Sequence, residues 1–303
     1  MNKITQKFQK LIMKATTTMK LVLPGAVLLS LFQIPSAPMQ TLASAPLKKS
    51  VEVTVEQLET RNEIAMTEAF FGLEAKLPET KTMIDKKVAF VSSRQAFPAS
   101  LAVIERHEDV IREKAVKNGV PEDVAIGVGL LENGGSDTAK SPAGALGVYQ
   151  LMPGTARNLG LTVNSKIDER RIPEKNIEAG MNYLAANYER FGDWGLATWA
   201  YHAGEGNVSN AVKIYAKANH NVTLRGVSDA KSMRTYVEKH SITIHKLLSD
   251  PVVKKFTSKL NDDSQGYPYK VIATAKLFKE KGNKSELGEK VSDGVKIKAG
   301  KRK

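Results

Sequence analysis

Between residues 101 and 278 the apolar side chains recur at the spacing of one helix face, and this period limits what the chain can become more than any other property. Leu101, Ile104, Val110, Ile111 and Val116 fit such a face, with Gly119 as the stop. Pro121 opens the next helix at a first-turn position, where a missing N–H costs nothing, and the Gly134-Gly135 pair ends it, so Glu132 falls in the last turn. Further helices are predicted over 176–190, 196–201, 208–218, 233–248 and 267–278. Period-two alternation is best at 51–55, outside the helical block. The expectation is a mostly α fold, and 303 residues with 42% hydrophobic content are enough for one substantial core.

The formal charge of +13 sits at the two ends. Residues 1–45 carry five lysines and no acid, residues 281–303 eight basic against three acidic groups, and only +3 remains for 46–280. A nearly balanced folded part removes the support for nucleic-acid binding, which needs a patch that neutralises many phosphates. The absence of cysteine excludes a disulfide scaffold, a thiolate zinc site and a thiol nucleophile. The five histidines form no ligand cluster, since His240 and His245 do not share a helix face, so neither metal nor other cofactor is expected.

The N-terminus has the order of an export signal: lysines, the uncharged run LVLPGAVLLSLFQI over 21–34, then small residues to Ala45. The run is short for a membrane span, which needs roughly 20 residues, yet no charge appears between residues 21 and 47, so cleavage and retention as an anchor both stay open. The expected layout is a signal or anchor over 1–45, a partly helical spacer over 46–100, a helical domain over 101–280 and a flexible basic tail over 281–303. The destination is periplasm, cell wall or the outside of the cell.

The stretch LLENGGSDTAKSPAGALGVYQLMPGTA, residues 130–156, resembles the catalytic region of the soluble lytic transglycosylases (SLT) of the lysozyme-like superfamily. In that family a glutamate at a helix end is followed at nearly fixed spacing by a serine, Gly-Ala, Gly-x-x-Gln and Met-Pro-x-Thr-Ala. These elements stand here at Glu132, Ser141, Gly144-Ala145, 147–150 and 152–156. Asn176-Ile177, Gly180 and Tyr183-Leu184 are similar to a second element, Tyr201-His202-Ala203-Gly204 to a third and, more loosely, residues 267–271 to the closing helix. Four ordered elements over residues 101–280 make chance agreement improbable, although each alone is weak. His202 stands where the family has asparagine and Glu205 where it commonly has proline, which weakens the transfer of substrate contacts on that side.

The resemblance implies a lysozyme-like helical domain that acts on peptidoglycan glycan strands. Glu132 would protonate the oxygen between N-acetylmuramic acid and N-acetylglucosamine and then, as carboxylate, help close a 1,6-anhydro ring. Ser141, Gln150, Tyr201, His202 and Tyr267 are the substrate-binding candidates it implies. Independently of the resemblance, a carboxyl group protonates such an oxygen well only if it stays protonated near neutral pH. The negative end of a helix and the apolar neighbours Ala125, Val128 and Gly129, with no cation on that face, predict a raised pKa for Glu132.

Blander readings stand beside these. A glutamate near a helix end is usually solvated, Ser141 equally suits a turn before Pro142, and Gln150 fits a buried hydrogen-bond network. Tyr149 and Met152 fit the core, and Tyr267 is preferred over Tyr269 in the alignment. Asp137, Asp168 and Glu205 read as loop or cap residues, but any of them near the cleft could activate water and give a lysozyme-type hydrolase. A non-catalytic wall-binding protein of the same fold is the remaining rival. The basic tail is solvated or drawn to acidic wall polymers or a membrane surface, and the chain is expected to be a monomer.

Overall fold

A computed structural model describes residues 76–225, 229–260 and 263–292, with the side chains of the last helix described to residue 282. The signal or anchor segment, residues 46–75 of the spacer with the 51–55 alternation, and the tail beyond 292 lie outside the described residues. In chain order come α1 (Pro78–Ser92), α2 (Phe97–Lys117), α3 (Glu122–Glu132) and α4 (Pro153–Asn158). A 3-10 turn (Glu169–Arg171) leads to α5 (Pro173–Phe191), α6 (Trp194–Ala203), α7 (Glu205–His220), α8 (Ala230–His240), α9 (Ile244–Ser249), α10 (Pro251–Thr257) and α11 (Tyr267–Ser292). The fold is mostly α as expected. Among the described residues there is no strand, and backbone pairing outside helices is confined to isolated bridges such as Lys140 with Leu146 and Leu146 with Leu151. Nor is any helix there long and apolar enough to cross a membrane.

Two helices are buried all round and form the centre. Every residue of α3 from Val124 to Leu130 is buried, as is every residue of α6 from Trp194 to Tyr201. A helix without a polar face is stable only where neighbours cover each side. Here α3 is covered by α2 and α11, and α6 by α5, α7 and α11. Helices α3 and α11 run antiparallel at very close range: a Cβ on Gly127 would stand 2.3 Å from the Val271 carbonyl oxygen, and the Thr274 hydroxyl donates to the Gly127 carbonyl at 3.0 Å. Lys279 pairs with Asp123 at one end of this contact, which brings Tyr267 to Glu132 at the other.

Gly180 on α5 serves the same end, because its missing side chain leaves room for the ring of Tyr149. A Cβ there would lie 2.6 Å from Tyr149 Cγ. Gly180→Ala is expected to destabilise the fold by about 2 kcal/mol in urea unfolding, the usual cost of overpacking, despite alanine's better helix propensity.

Several boundaries differ from the sequence reading. Pro121 is the N-cap of α3, with extended ψ, and not its first helical residue. The 233–248 segment is two helices, split where Ser241 takes a left-handed φ of 47°. The packed body reaches back beyond residue 101, since α1 lies against α11. At the other end α11 continues to Ser292, well into the segment expected to be loose. Lysine, glutamate and leucine in that segment are good helix formers, and extending an existing helix avoids the cost of nucleation. The short helices α4 and α10, six and seven residues long, contain too few turns to show a period.

Candidate active site

Helix α3 stops where Gly134 and Gly135 take φ values of 57° and 86°. The intervening Asn133 is fully buried: its amide donates to the carbonyls of Ser100 and Gly129, and its side-chain oxygen accepts from the Gly135 N–H at 2.7 Å. The helix end that carries Glu132 is thus fixed to α2 by the bond to Ser100 and not left to fray.

Three of the six candidate side chains meet there. The Tyr267 hydroxyl donates to Glu132 Oε1 at 2.6 Å, and His202 Nδ1 lies 4.0 Å from the same oxygen. The rings of His202 and Tyr267 stack at 4.4 Å with 11° between their planes. Glu132 keeps 17% of its side-chain exposure and His202 33%, so the carboxyl group is sunk below the surface yet reachable. Burial raises the Glu132 pKa to about 7, against the pull of the Tyr267 hydrogen bond and of the positive charges of Arg94 and Lys270. The direction agrees with the sequence reading, but desolvation carries it. The two cations come from the turn after α1 and from α11, which an inspection of α3 alone could not reveal.

Tyr201 belongs to the layer beneath. It is buried, and its hydroxyl donates to the Tyr149 carbonyl at 2.5 Å, so that hydrogen is already committed within the protein. Burial first, and the negative charge of Glu132 second, hold the pKa of Tyr201 well above its ordinary value; the same two causes act on Tyr267. Both phenols therefore stay protonated, and Tyr267 stays a donor.

Ser141 and Gln150 shape the loop that follows Glu132. The Ser141 hydroxyl accepts from the Ala145 N–H at 3.0 Å, which is the turn-capping role. Gln150 sits at a left-handed φ of 44°, and its amide donates to the carbonyls of Ala139 and Gly147, the network role. Tyr149 is core, whereas Met152 is 42% exposed at the N-cap of α4 and so departs from its expected burial. Two builders escaped sequence reasoning. Buried Arg170 donates to the carbonyls of Gly144 and Leu151 while Asp168 holds its guanidinium. Asn176, fully buried, accepts from the Tyr149 N–H and donates to the carbonyls of Leu146 and Arg170. Asn176 stood inside a quoted motif, but nothing in the local sequence of Arg170 separates it from the exposed Arg171 beside it.

The other carboxylates are engaged. Asp137 is paired with Arg106 and His107, and Asp168 with Arg170, which holds its pKa below the ordinary value. Glu205 accepts from the Tyr183 hydroxyl at 2.8 Å, and the Tyr183 ring lies 5.1 Å from that of Tyr201.

Residues 109–223 match the family model described as the transglycosylase SLT domain. The chain is 29% identical over 148 residues to membrane-bound lytic murein transglycosylase D of Escherichia coli K12, covering 48% of this chain and 32% of that protein. It is 31% identical over 107 residues to the soluble lytic murein transglycosylase of the same strain, covering 34% of this chain and 17% of that protein. A structure of an inactive mutant of the lytic transglycosylase Slt from Pseudomonas aeruginosa aligns with a TM-score of 0.39 at 20% identity, over 66% of this chain and 30% of the other. The chain thus spans a third or less of the length of these relatives. Glu132 and the loop behind it lie inside the stretch, residues 109–223, that is similar to the transglycosylase SLT domain.

Proposed function

We propose that the chain is a lytic transglycosylase that cleaves the glycan strands of peptidoglycan, with Glu132 as its single acid and base. The observation that carries this reading is a sunken, still reachable carboxyl group whose pKa is raised to about 7 by desolvation. At neutral pH a large fraction of it holds a proton to give, and it is a competent base once that proton has gone. In the first step the Glu132 proton passes to O4 of the leaving N-acetylglucosamine as the C1–O bond of N-acetylmuramic acid breaks. The resulting carboxylate then takes the proton of the muramic C6 hydroxyl while O6 bonds to C1, closing the 1,6-anhydro ring. Glu132 ends protonated, and no water is consumed.

Tyr267 is assigned to hold the carboxylate after the first step, since its hydroxyl strengthens its bond as charge develops on Glu132. The exposed edge of His202, stacked on Tyr267, is assigned to the sugar. The relatives' names, lytic murein transglycosylase, support the substrate. A wall substrate also fits export by the segment 1–45, cleaved or kept as an anchor.

Mass spectrometry of sacculi digested with residues 46–303 tests the reaction. Anhydro-muramyl ends are expected. Reducing ends alone would assign a hydrolase, for which Glu205 is the carboxylate joined through Tyr183 and Tyr201 to the same layer. No cleavage at all would leave a wall-binding protein.

The pH dependence is fixed in sign. Glu132 must be protonated to act as the acid, so kcat/KM is expected to fall as pH rises through about 7. Tyr267→Phe removes a donor that favours the carboxylate, so the same limb should move upward by roughly one unit, the size of a hydrogen bond to a charged group. A limb that stayed in place would show that the titrating group is not Glu132.

A further inference from the structure

Helix α8 carries a second concentration of chemistry apart from Glu132 and the residues around it. Lys231, Thr235 and Lys239 are spaced four apart and form one exposed stripe of the helix, while Tyr236 and His240 lie on the adjoining stripe. Together with Val222, which follows α7, they line a cavity of about 330 Å³. That volume is at the lower end of small-ligand pockets, which run from roughly 300 to 1,000 Å³.

The cavity has a rigid wall. His220 Nδ1 and the Tyr236 hydroxyl are 2.5 Å apart, the rings of His220 and His240 stack at 4.2 Å, and those of Tyr236 and His240 lie at 4.5 Å. Its charge is one-sided. Among the described residues neither Lys231 nor Lys239 has an ion-pair partner, Glu238 is taken by Arg234, and Asp229 is spent capping the helix through the Ser232 N–H. His240 registers the same excess of positive charge: desolvation first, then His220, Lys239 and Lys246, hold its pKa below the ordinary value.

We propose that this cavity is a second binding site, which takes a peptide carboxylate carried on a short aliphatic side chain. The lysine ammonium groups and the Thr235 hydroxyl suit the carboxylate, while the Tyr236 ring, Val222 and the lysine stems suit the methylenes that bear it. An acidic residue in a wall peptide and one in a partner protein present the same chemistry. Neither source involves Glu132.

The test is a side-chain NMR titration of the full chain with acetyl-Ala-Glu-Ala-amide, with acetyl-Ala-Gln-Ala-amide and inorganic phosphate as comparison probes. Saturable shifts at His240 and Tyr236 are expected with the glutamate peptide, weakened at least about five-fold in Lys231→Gln/Lys239→Gln. Because both lysines are exposed, the double variant should keep its fold and its rate on peptide-free glycan. Equal shifts from the glutamine peptide would overturn the carboxylate assignment. Phosphate binding as tightly as the peptide would overturn the peptide assignment, and an unchanged affinity in the double variant, or no saturable shift, would remove the site.

Discussion

Glu132→Gln should lose cleavage of purified sacculi by about 10³-fold while becoming more stable than the wild type above pH 7. The loss follows from the chemistry, since an amide has no proton to give the leaving oxygen and takes none back from the C6 hydroxyl. The gain in stability follows from the same burial that raises the pKa. The folded protein holds the Glu132 proton up to about pH 7, whereas an unfolded glutamate releases it near 4.3. Stability from this group is therefore complete below the unfolded value and is lost as pH climbs through about 7, where a charged carboxylate must be kept in the desolvated site. The substituted amide never ionises, and its oxygen can still accept from Tyr267, so the variant escapes that penalty. The difference approaches about 3 kcal/mol on the alkaline side and vanishes near pH 4. Urea unfolding of both proteins at pH 5 and pH 8.5 reads it directly. A variant no more stable than wild type at pH 8.5 would mean that Glu132 is solvated, and the acid role would go with the burial.

That one side chain was legible in the sequence because two local signals coincided: the glycine pair that ends α3 and the motif that follows. The long helices were legible for a related reason. Periodic burial shows whenever an element has a wet face, as α2, α5 and α7 do. It gives less where an element is buried on every side, so the sequence period marks only 196–201 of α6, which runs Trp194–Ala203. What the sequence withheld was long-range. That Tyr267, 135 positions away, donates to Glu132 depends on the antiparallel contact of α3 and α11, which Gly127 permits and no local pattern announces. Lys270 acts on Glu132 through the same contact, and Arg94 acts on it from the turn after α1. The two polar candidates in the loop, Ser141 and Gln150, illustrate the converse limit. A motif marks positions under constraint without saying whether sugar or backbone imposes it, and here both side chains hydrogen-bond the loop's own backbone.

The loop's dependence on such bonds makes Asn176→Leu the second large effect. Leucine is the apolar residue nearest asparagine in shape, so the substitution removes hydrogen bonds with limited change in packing. The Tyr149 N–H at 2.7 Å and the Arg170 carbonyl at 3.1 Å lose their Asn176 partner, while the Leu146 carbonyl loses one bond of 2.9 Å and keeps that from the Leu151 N–H. Water cannot replace the amide easily, because Gly147 stands so close that a Cβ there would lie 2.3 Å from Asn176 Nδ2. Each unsatisfied buried group costs roughly 1–3 kcal/mol, and partial relaxation of the loop brings the expected total to about 4 kcal/mol. The damage should also reach the chemistry. The Tyr149 carbonyl accepts the Tyr201 hydroxyl, so a displaced Tyr149 frees Tyr201 directly beneath the Glu132 layer. Opening that layer to water would bring the Glu132 pKa down toward an ordinary carboxylate value, because desolvation is what raised it. In Asn176→Leu the limb on which kcat/KM falls with rising pH should therefore move to lower pH, opposite in sign to the shift in Tyr267→Phe. A variant destabilised to the same extent but with its limb still near 7 would separate the loop's packing from the tuning of Glu132.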